Sequence, residues 1–136
     1  MSQPGASLIG RRLLVVEDEA MVAMMLEEML TELGCVVVDM ASSVARGLVL
    51  VDSIQSDLDA AVLDINLGGE KVYPLAEKLA HRGVPFIFST GYAPSSIIPA
   101  FQAIPTLTKP YGSSALEASL LAALAGAPSK TQKDRG

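Results

Sequence analysis

The sequence predicts an α/β domain, doubly wound, in which a five-stranded parallel sheet in the order 2-1-3-4-5 carries helices on both faces. Three observations lead there. Short aliphatic and β-branched runs alternate with segments of helical apolar spacing. The middle runs are apolar at every position, as strands covered on both faces must be. Each run ends in polar residues, the place where open α/β sheets build their functional crevice.

Leu13-Leu14-Val15-Val16 forms the first strand and Glu17-Asp18-Glu19 the acidic turn that leaves it. Val22, Leu26, Met29, Leu30 and Leu33 then recur at helical spacing, and Gly34 caps that helix. Cys35 to Val38 begins the second strand. Ser42 or Ser43 caps a helix along which Val44, Leu48 and Val51 or Ile54 repeat. Ala60-Ala61-Val62-Leu63 is the third strand, ending at Asp64. Leu67-Gly68-Gly69 turns the chain, and helical spacing resumes from Val72 to Arg82 until Gly83 stops it.

Phe86-Ile87-Phe88 is the fourth strand. Ser95 to Phe101 has the ingredients of a fourth helix, but Pro94 and Pro99 bracket it. A proline inside a helix costs about 3 kcal/mol or more, so this helix is expected to be short or mobile. Ile104 to Thr108 is a weak fifth strand. At the edge of a flavodoxin-like sheet no neighbour needs the N–H that Pro105 lacks. Ser114-Ala115-Leu116-Glu117 reads as a capping box opening a last helix, with Leu116, Leu120, Leu121 and Leu124 on one face. Five strands and five helices thus place one domain at residues 11–126, with a flexible N-terminus at 1–10 and a flexible tail at 127–136.

Composition narrows the function. The 136 residues are 50% hydrophobic, enough for a single core, and carry a net charge of −5, which argues against a nucleic-acid backbone as partner. Trp is absent and aromatic residues make up 4%, so stacking platforms for single strands are lacking. The single cysteine, Cys35, can form no internal disulfide. No charged-then-apolar leader precedes the first strand, and no apolar run approaches the ~20 residues of a membrane span. A cytoplasmic protein without membrane insertion, and with proteins as partners, is expected.

The strand ends carry the chemistry. The first strand delivers Glu17 and Asp18, the third Asp64, the fourth Ser89 and Thr90, and the fifth Thr108 and Lys109. Clustered carboxylates repel one another, and a hard divalent cation is the simplest device that makes them tolerable. Mg²⁺ suits this set because it takes few protein ligands and leaves coordination positions for phosphoryl oxygens. An aspartate can itself be the nucleophile, giving an acyl phosphate at Asp64. Lys109 supplies a compact positive charge and Thr90 a hydroxyl for the remaining phosphoryl oxygens. Alone, each residue reads as an ordinary cap, turn former or solvated loop residue. Their conjunction at successive strand ends of one sheet is what points to phosphoryl transfer.

These segments resemble the receiver domain of two-component response regulators, CheY-like, from Arg12 to about Ala125. Leu14-Val15-Val16-Glu17-Asp18-Glu19 is similar to that family's acidic pair, Leu63-Asp64-Ile65-Asn66-Leu67 to its phosphoacceptor segment, Thr90 to its switch hydroxyl, and Thr108-Lys109-Pro110-Tyr111 to its Lys-Pro-aromatic signature. The resemblance implies a stand-alone regulator that takes a phosphoryl group from a histidine kinase onto Asp64. Asp18 and Asp64 would ligate Mg²⁺ by side chain, Asn66 by its backbone carbonyl and Glu17 through water. Thr90 and Lys109 would complete the site, and the Lys109–Pro110 bond would be cis. Such a domain is no enzyme beyond catalysing its own phosphorylation and dephosphorylation. It signals by protein–protein interaction or drains phosphoryl groups from a kinase.

Thr106 departs from the pattern, because most receivers carry Tyr or Phe three residues before the lysine. Phe88-Ser89-Thr90-Gly91-Tyr92 and the Gly68-Gly69 turn resemble the FATGUY single-domain regulators of alphaproteobacteria, whose kinases are commonly of the HWE type. An aspartate-nucleophile phosphatase is the alternative, but it places a D-x-D pair after the first strand, whereas Glu17 and Asp18 are adjacent. A flavin or nucleotide binder would need a Gly-rich phosphate loop in place of those acids. His81 reads as a solvated surface residue, Met21, Met24, Met25 and Met29 as core or surface residues, and Cys35 as a small buried hydrophobe. Ile97, Ile98, Phe101 and Tyr111 flank the fifth strand, the face through which receivers generally meet partners.

Overall fold

The computed structural model describes residues 7–54, 57–91 and 96–126. In chain order these form β1 (Arg12–Val16), α1 (Ala20–Glu32), β2 (Val36–Ala41), α2 (Val44–Ile54), β3 (Ala60–Asp64), β4 (Asn66–Leu67), β5 (Glu70–Lys71) and α3 (Tyr73–His81). They continue with β6 (Phe86–Thr90), a 3-10 turn (Pro99–Phe101), β7 (Thr106–Thr108) and α4 (Ser113–Gly126). The main sheet runs β2-β1-β3-β6-β7 with every pair parallel, so its five strands keep the expected 2-1-3-4-5 order. β4 and β5 make a separate antiparallel hairpin.

Period-two alternation divides the strands between two cores. Leu14, Val16, Ala61, Leu63 and Phe88 pack with Val44, Leu50, Val51, Leu75 and Leu79 of α2 and α3. Leu13, Val15, Ala60, Val62 and Ile87 pack with Leu26, Leu30, Leu116 and Leu120 of α1 and α4. Gly47 lets α2 approach α3, since a Cβ there would meet Leu75 Cδ2 at 2.6 Å. Ser43 caps α2, its hydroxyl accepting the Arg46 N–H at 3.1 Å. Gly34 ends α1 with φ of 95°, a conformation that costs glycine little.

Several expectations need correction. Residues 96–101 contain no α-helix, and a 3-10 turn starts on Pro99, so the described residues hold four α-helices in place of five. Pro94 and Tyr92 lie outside the described residues. The last helix starts at Ser113, with the Gly112 carbonyl accepting the Leu116 N–H at 3.2 Å, so Ser114 sits inside the first turn and caps nothing. The buried face of α2 is Val44, Gly47, Leu50 and Val51, with Leu48 only partly covered. Of the segment expected to be a flexible N-terminus, residues 7–10 are docked: Leu8 is buried, and the Gly10 N–H donates to the Gly34 carbonyl at 2.8 Å. Residues 1–6 and the 127–136 tail lie outside the described residues. Pro105 precedes the edge strand β7 and still contributes its carbonyl, which accepts the Phe88 N–H at 3.0 Å. No helix among the described residues is long and apolar enough to cross a membrane.

Candidate phosphoacceptor site

Strand register gathers the predicted residues at one end of the sheet. Val16 pairs with Leu63, Asp64 with Ser89, and Thr90 with Thr108, so Glu17, Asp64, Thr90 and Lys109 leave adjacent strands side by side. The Lys109 N–H donates to the Thr90 carbonyl at 2.8 Å, and the Lys109–Pro110 bond is cis.

Lys109 Nζ is the centre of the cluster. It donates to Glu17 Oε1 at 3.0 Å and to Asp64 Oδ2 at 3.1 Å, with Glu19 Oε1 at 4.0 Å. Glu17 and Asp64 are only 4% and 5% exposed, so one ammonium serves two buried carboxylates. Their other oxygens hold the backbone in place: Glu17 Oε2 accepts the Glu19 N–H, and Asp64 Oδ1 accepts the Asn66 N–H, both at 3.2 Å. Asp18 is exposed, and its Oδ2 accepts the Gly68 N–H at 2.8 Å. Thr90 and Ser89 are buried beside Asp64.

Electrostatics follow from burial and crowding. Burial pushes the Glu17 carboxyl up to about 7, with Lys109 opposing and Asp64 reinforcing the rise. Burial pulls the Lys109 ammonium down, but its hydrogen bonds to Glu17 and Asp64 outweigh that and hold it above the usual lysine range. Burial likewise raises the Tyr111 phenol, against a hydrogen bond with Ser89. Oxygens of Glu17, Asp18 and Asp64 all lie within 4.8 Å of one another. Three carboxylates against one ammonium leave excess negative charge on an all-oxygen donor set. That fits a hard divalent cation such as Mg²⁺.

The structure therefore brings together Glu17, Asp18, Asp64, Asn66, Thr90 and Lys109. It also contains a feature that reads in the sequence only as a turn. Gly68 (φ 58°) and Gly69 (φ 89°) form a two-residue turn that folds β4 onto β5 and sets Asn66 opposite Lys71, whose Nζ donates to Asn66 Oδ1. The Gly-Gly pair was the available signal. At the position of Thr106 there is no aromatic ring; its hydroxyl donates to the Ile104 carbonyl at 3.0 Å.

In its place an aromatic cluster lies on the α3 side. The Tyr73 ring stacks on Phe101 at 5.8 Å and meets Phe88 edge-on at 6.2 Å, while the Tyr73 hydroxyl accepts the Ile98 N–H at 3.4 Å. Ile97 and Phe101 are buried, Ile98 is exposed and Tyr111 is half-buried. His81 is exposed, Cys35 is buried, and Met21, Met24 and Met25 stand exposed on α1.

Comparison with known proteins agrees with this geometry. A family model described as the response regulator receiver domain matches residues 13–121. SdrG from Sphingomonas melonis Fr1 is similar at 42% identity with a TM-score of 0.75, over 88% of this chain and 98% of its own. The BeF3-activated conformation of SdrG, from Pseudomonas melonis Fr1, is similar at 44% identity with a TM-score of 0.70, over 83% of this chain and 94% of its own. The response regulator PhyR from Brucella abortus is 27% identical with a TM-score of 0.74. It aligns with 88% of this chain, which spans half the length of PhyR. Among curated proteins no match was found.

Proposed function

The chain belongs to the response regulator receiver domain family of two-component systems, and from that premise we propose that it accepts a phosphoryl group on Asp64 from a histidine kinase in the presence of Mg²⁺. The observation that carries this reading is the buried Asp64 carboxylate, held by Lys109 Nζ at 3.1 Å within a cluster of two further carboxylates.

In this reading an Asp64 oxygen attacks phosphorus in line, the phosphorus–nitrogen bond of the kinase phosphohistidine breaks, and the bond to Asp64 forms. Asp64 is prepared by position: the Asn66 N–H occupies Oδ1 and the ammonium lies at Oδ2. Lys109 then neutralises charge that develops on the phosphoryl oxygens, and the Thr90 hydroxyl donates to one of them. Asp18 and Asp64 side chains, the Asn66 carbonyl and, through water, Glu17 would hold Mg²⁺, whose chemistry is to shield the carboxylates from the incoming phosphoryl charge.

The resulting acyl phosphate serves a stand-alone cytoplasmic regulator that either binds a partner or drains phosphoryl groups from its kinase. The likeness to SdrG, which extends over 98% of that chain, supports the stand-alone reading, and the resemblance carried by the Phe88 to Tyr92 segment supports a kinase of the HWE type. The test is transfer from a radiolabelled, autophosphorylated HWE-type kinase. Label is expected to move to the wild type and not to Asp64→Ala, and wild-type protein that stays unlabelled by every kinase of this type would overturn the proposal.

A further inference from the structure

Helix α1 buries Ala23, Leu26 and Leu30, and its outer face carries three methionines where a helix ordinarily places polar residues. Met21, Met24 and Met25 are 75%, 64% and 58% exposed. Spacings of three and four residues set Met21 beside both of the others. Core packing does not account for these side chains, whereas Met29 is partly covered and packs among the buried residues of α1 and α4. The patch opens at the rim of the acidic cluster. Met21 stands two residues after Glu19, whose Oε1 lies 4.0 Å from Lys109 Nζ. At a rise of 1.5 Å per residue the three methionines cover about 6 Å of helix beyond that rim. A protein that brings its phosphorus to Asp64 must close over this mouth, and the thioethers then lie beneath it.

We propose that Met21, Met24 and Met25 form a peroxide-oxidisable patch whose conversion to sulfoxides slows phosphoryl transfer from a protein donor, an inference that rests on phosphoryl acceptance at Asp64. At each methionine a sulfur lone pair attacks one oxygen of hydrogen peroxide and the oxygen–oxygen bond breaks. The departing hydroxide takes the proton of the transferred oxygen and leaves as water, so sulfur is oxidised and the peroxide reduced. The sulfoxide makes a flexible apolar side chain polar, and sulfoxide reductases return it to the thioether. Hydrogen peroxide is small and uncharged, so the exposed carboxylates of Glu19 and Glu28 on either side of the patch do not repel it. Polar sulfoxides at the rim remove the apolar contact that a docked protein gains there. Acetyl phosphate needs no such contact and reaches Asp64 as before.

The experiment treats the full chain with limiting hydrogen peroxide, removes the oxidant, and maps sulfoxides by peptide mass spectrometry. Met21, Met24 and Met25 are expected to oxidise ahead of Met29 and Met40, with the melting temperature unchanged. Met1 lies outside the described residues and its sulfoxide is counted apart. Transfer from an autophosphorylated HWE-type kinase that never meets the peroxide is then compared before and after treatment. Oxidised wild type is expected to accept label about ten-fold more slowly, to take up acetyl phosphate at its former rate, and to recover transfer after incubation with both sulfoxide reductases. A chain with Met21→Leu, Met24→Leu and Met25→Leu keeps its apolar surface and all other oxidisable groups, Cys35 included. Its oxidised-to-untreated ratio is expected to stay near one. Met29 or Met40 oxidised first overturns the inference, as does transfer indifferent to the sulfoxides or an equal loss in the leucine chain. Untreated wild type that accepts no label from any such kinase overturns the phosphoacceptor reading instead. The patch is then judged by the order of oxidation, where selective and reductase-reversible sulfoxides at Met21, Met24 and Met25 support the modification site and any other order overturns it.

Discussion

Replacing Asp64 by Asn removes the proposed nucleophile and, on electrostatic grounds, makes the metal-free protein more stable. At 3.1 Å from Lys109 Nζ, the carboxylate gains about 5 kcal/mol of attraction at an effective dielectric of about 20. Glu17 oxygens within 4.8 Å return about 3.5 kcal/mol of repulsion on the same scale. Asp18 is exposed and screened, so its share is nearer about 1 kcal/mol. These terms nearly cancel, which leaves the penalty for holding Asp64 out of water, several kcal/mol for a buried ion. Asn keeps the acceptor that the Asn66 N–H needs and carries no such penalty.

Asp64→Asn should therefore gain about 1–3 kcal/mol in chelator at pH 8, a rise of about 3–5 °C in Tm for each kcal/mol in a domain of this size. Thermal unfolding followed by circular dichroism reads it. Addition of Mg²⁺ should close the gap, because the wild type gains about 2.7 kcal/mol at a hundred times its Kd while the variant binds the ion poorly. A variant that melts below the wild type in chelator would show that the Lys109 attraction exceeds the repulsion and burial costs combined.

Other perturbations follow from the same geometry. Lys109→Met leaves Glu17 and Asp64 buried without their cation and should cost about 3–5 kcal/mol in chelator, read as a lower urea midpoint, with part of the loss restored by Mg²⁺. In metal-free protein Glu17 keeps its proton up to about 7, whereas in the unfolded chain it loses it near 4.5. The unfolded chain then binds fewer protons across that window, so stability should fall as pH rises through it. Glu17→Gln should flatten the profile, and a wild-type stability that climbs over the same range contradicts the sign. Gly47→Ala drives a Cβ into Leu75 and should destabilise by about 1–3 kcal/mol despite the better helix propensity of alanine, as measured by urea unfolding.

How much the sequence reveals depends on the length over which a pattern runs. The strands through Leu13, Ala60 and Phe86 could be read because central parallel strands are apolar at consecutive positions, and the residues after them became site candidates through topology alone. β4 and β5, at two residues each, are too short to show any alternation. Only Gly68-Gly69 marks them, and without its partner strands that pair signals no more than a turn.

Leu8 and Ile9 are an isolated apolar pair too short to show a period, and only Leu8 is buried, in a segment tied to the α1–β2 corner by the Gly10 N–H donating to the Gly34 carbonyl. Ser114 matches a capping box in sequence, yet the helix begins two residues earlier than that cap would place it, because the Gly112 carbonyl opens it. Among the described residues from Ser96 to Phe101 no α-helix forms, as Pro99 led one to expect, and a 3-10 turn at Pro99–Phe101 stands there, its Phe101 ring stacked on Tyr73. That ring contact joins residues far apart in the chain, so no local pattern announces it.

Whether Asp64 is the phosphoacceptor is decided by intact-protein mass spectrometry after incubation with acetyl phosphate and Mg²⁺. One phosphoryl group should add to the wild type, and none to Asp64→Ala or to wild type in chelator. Equal addition to Asp64→Ala would mean that the phosphoryl group resides on another side chain, and the role assigned to Asp64 would fall.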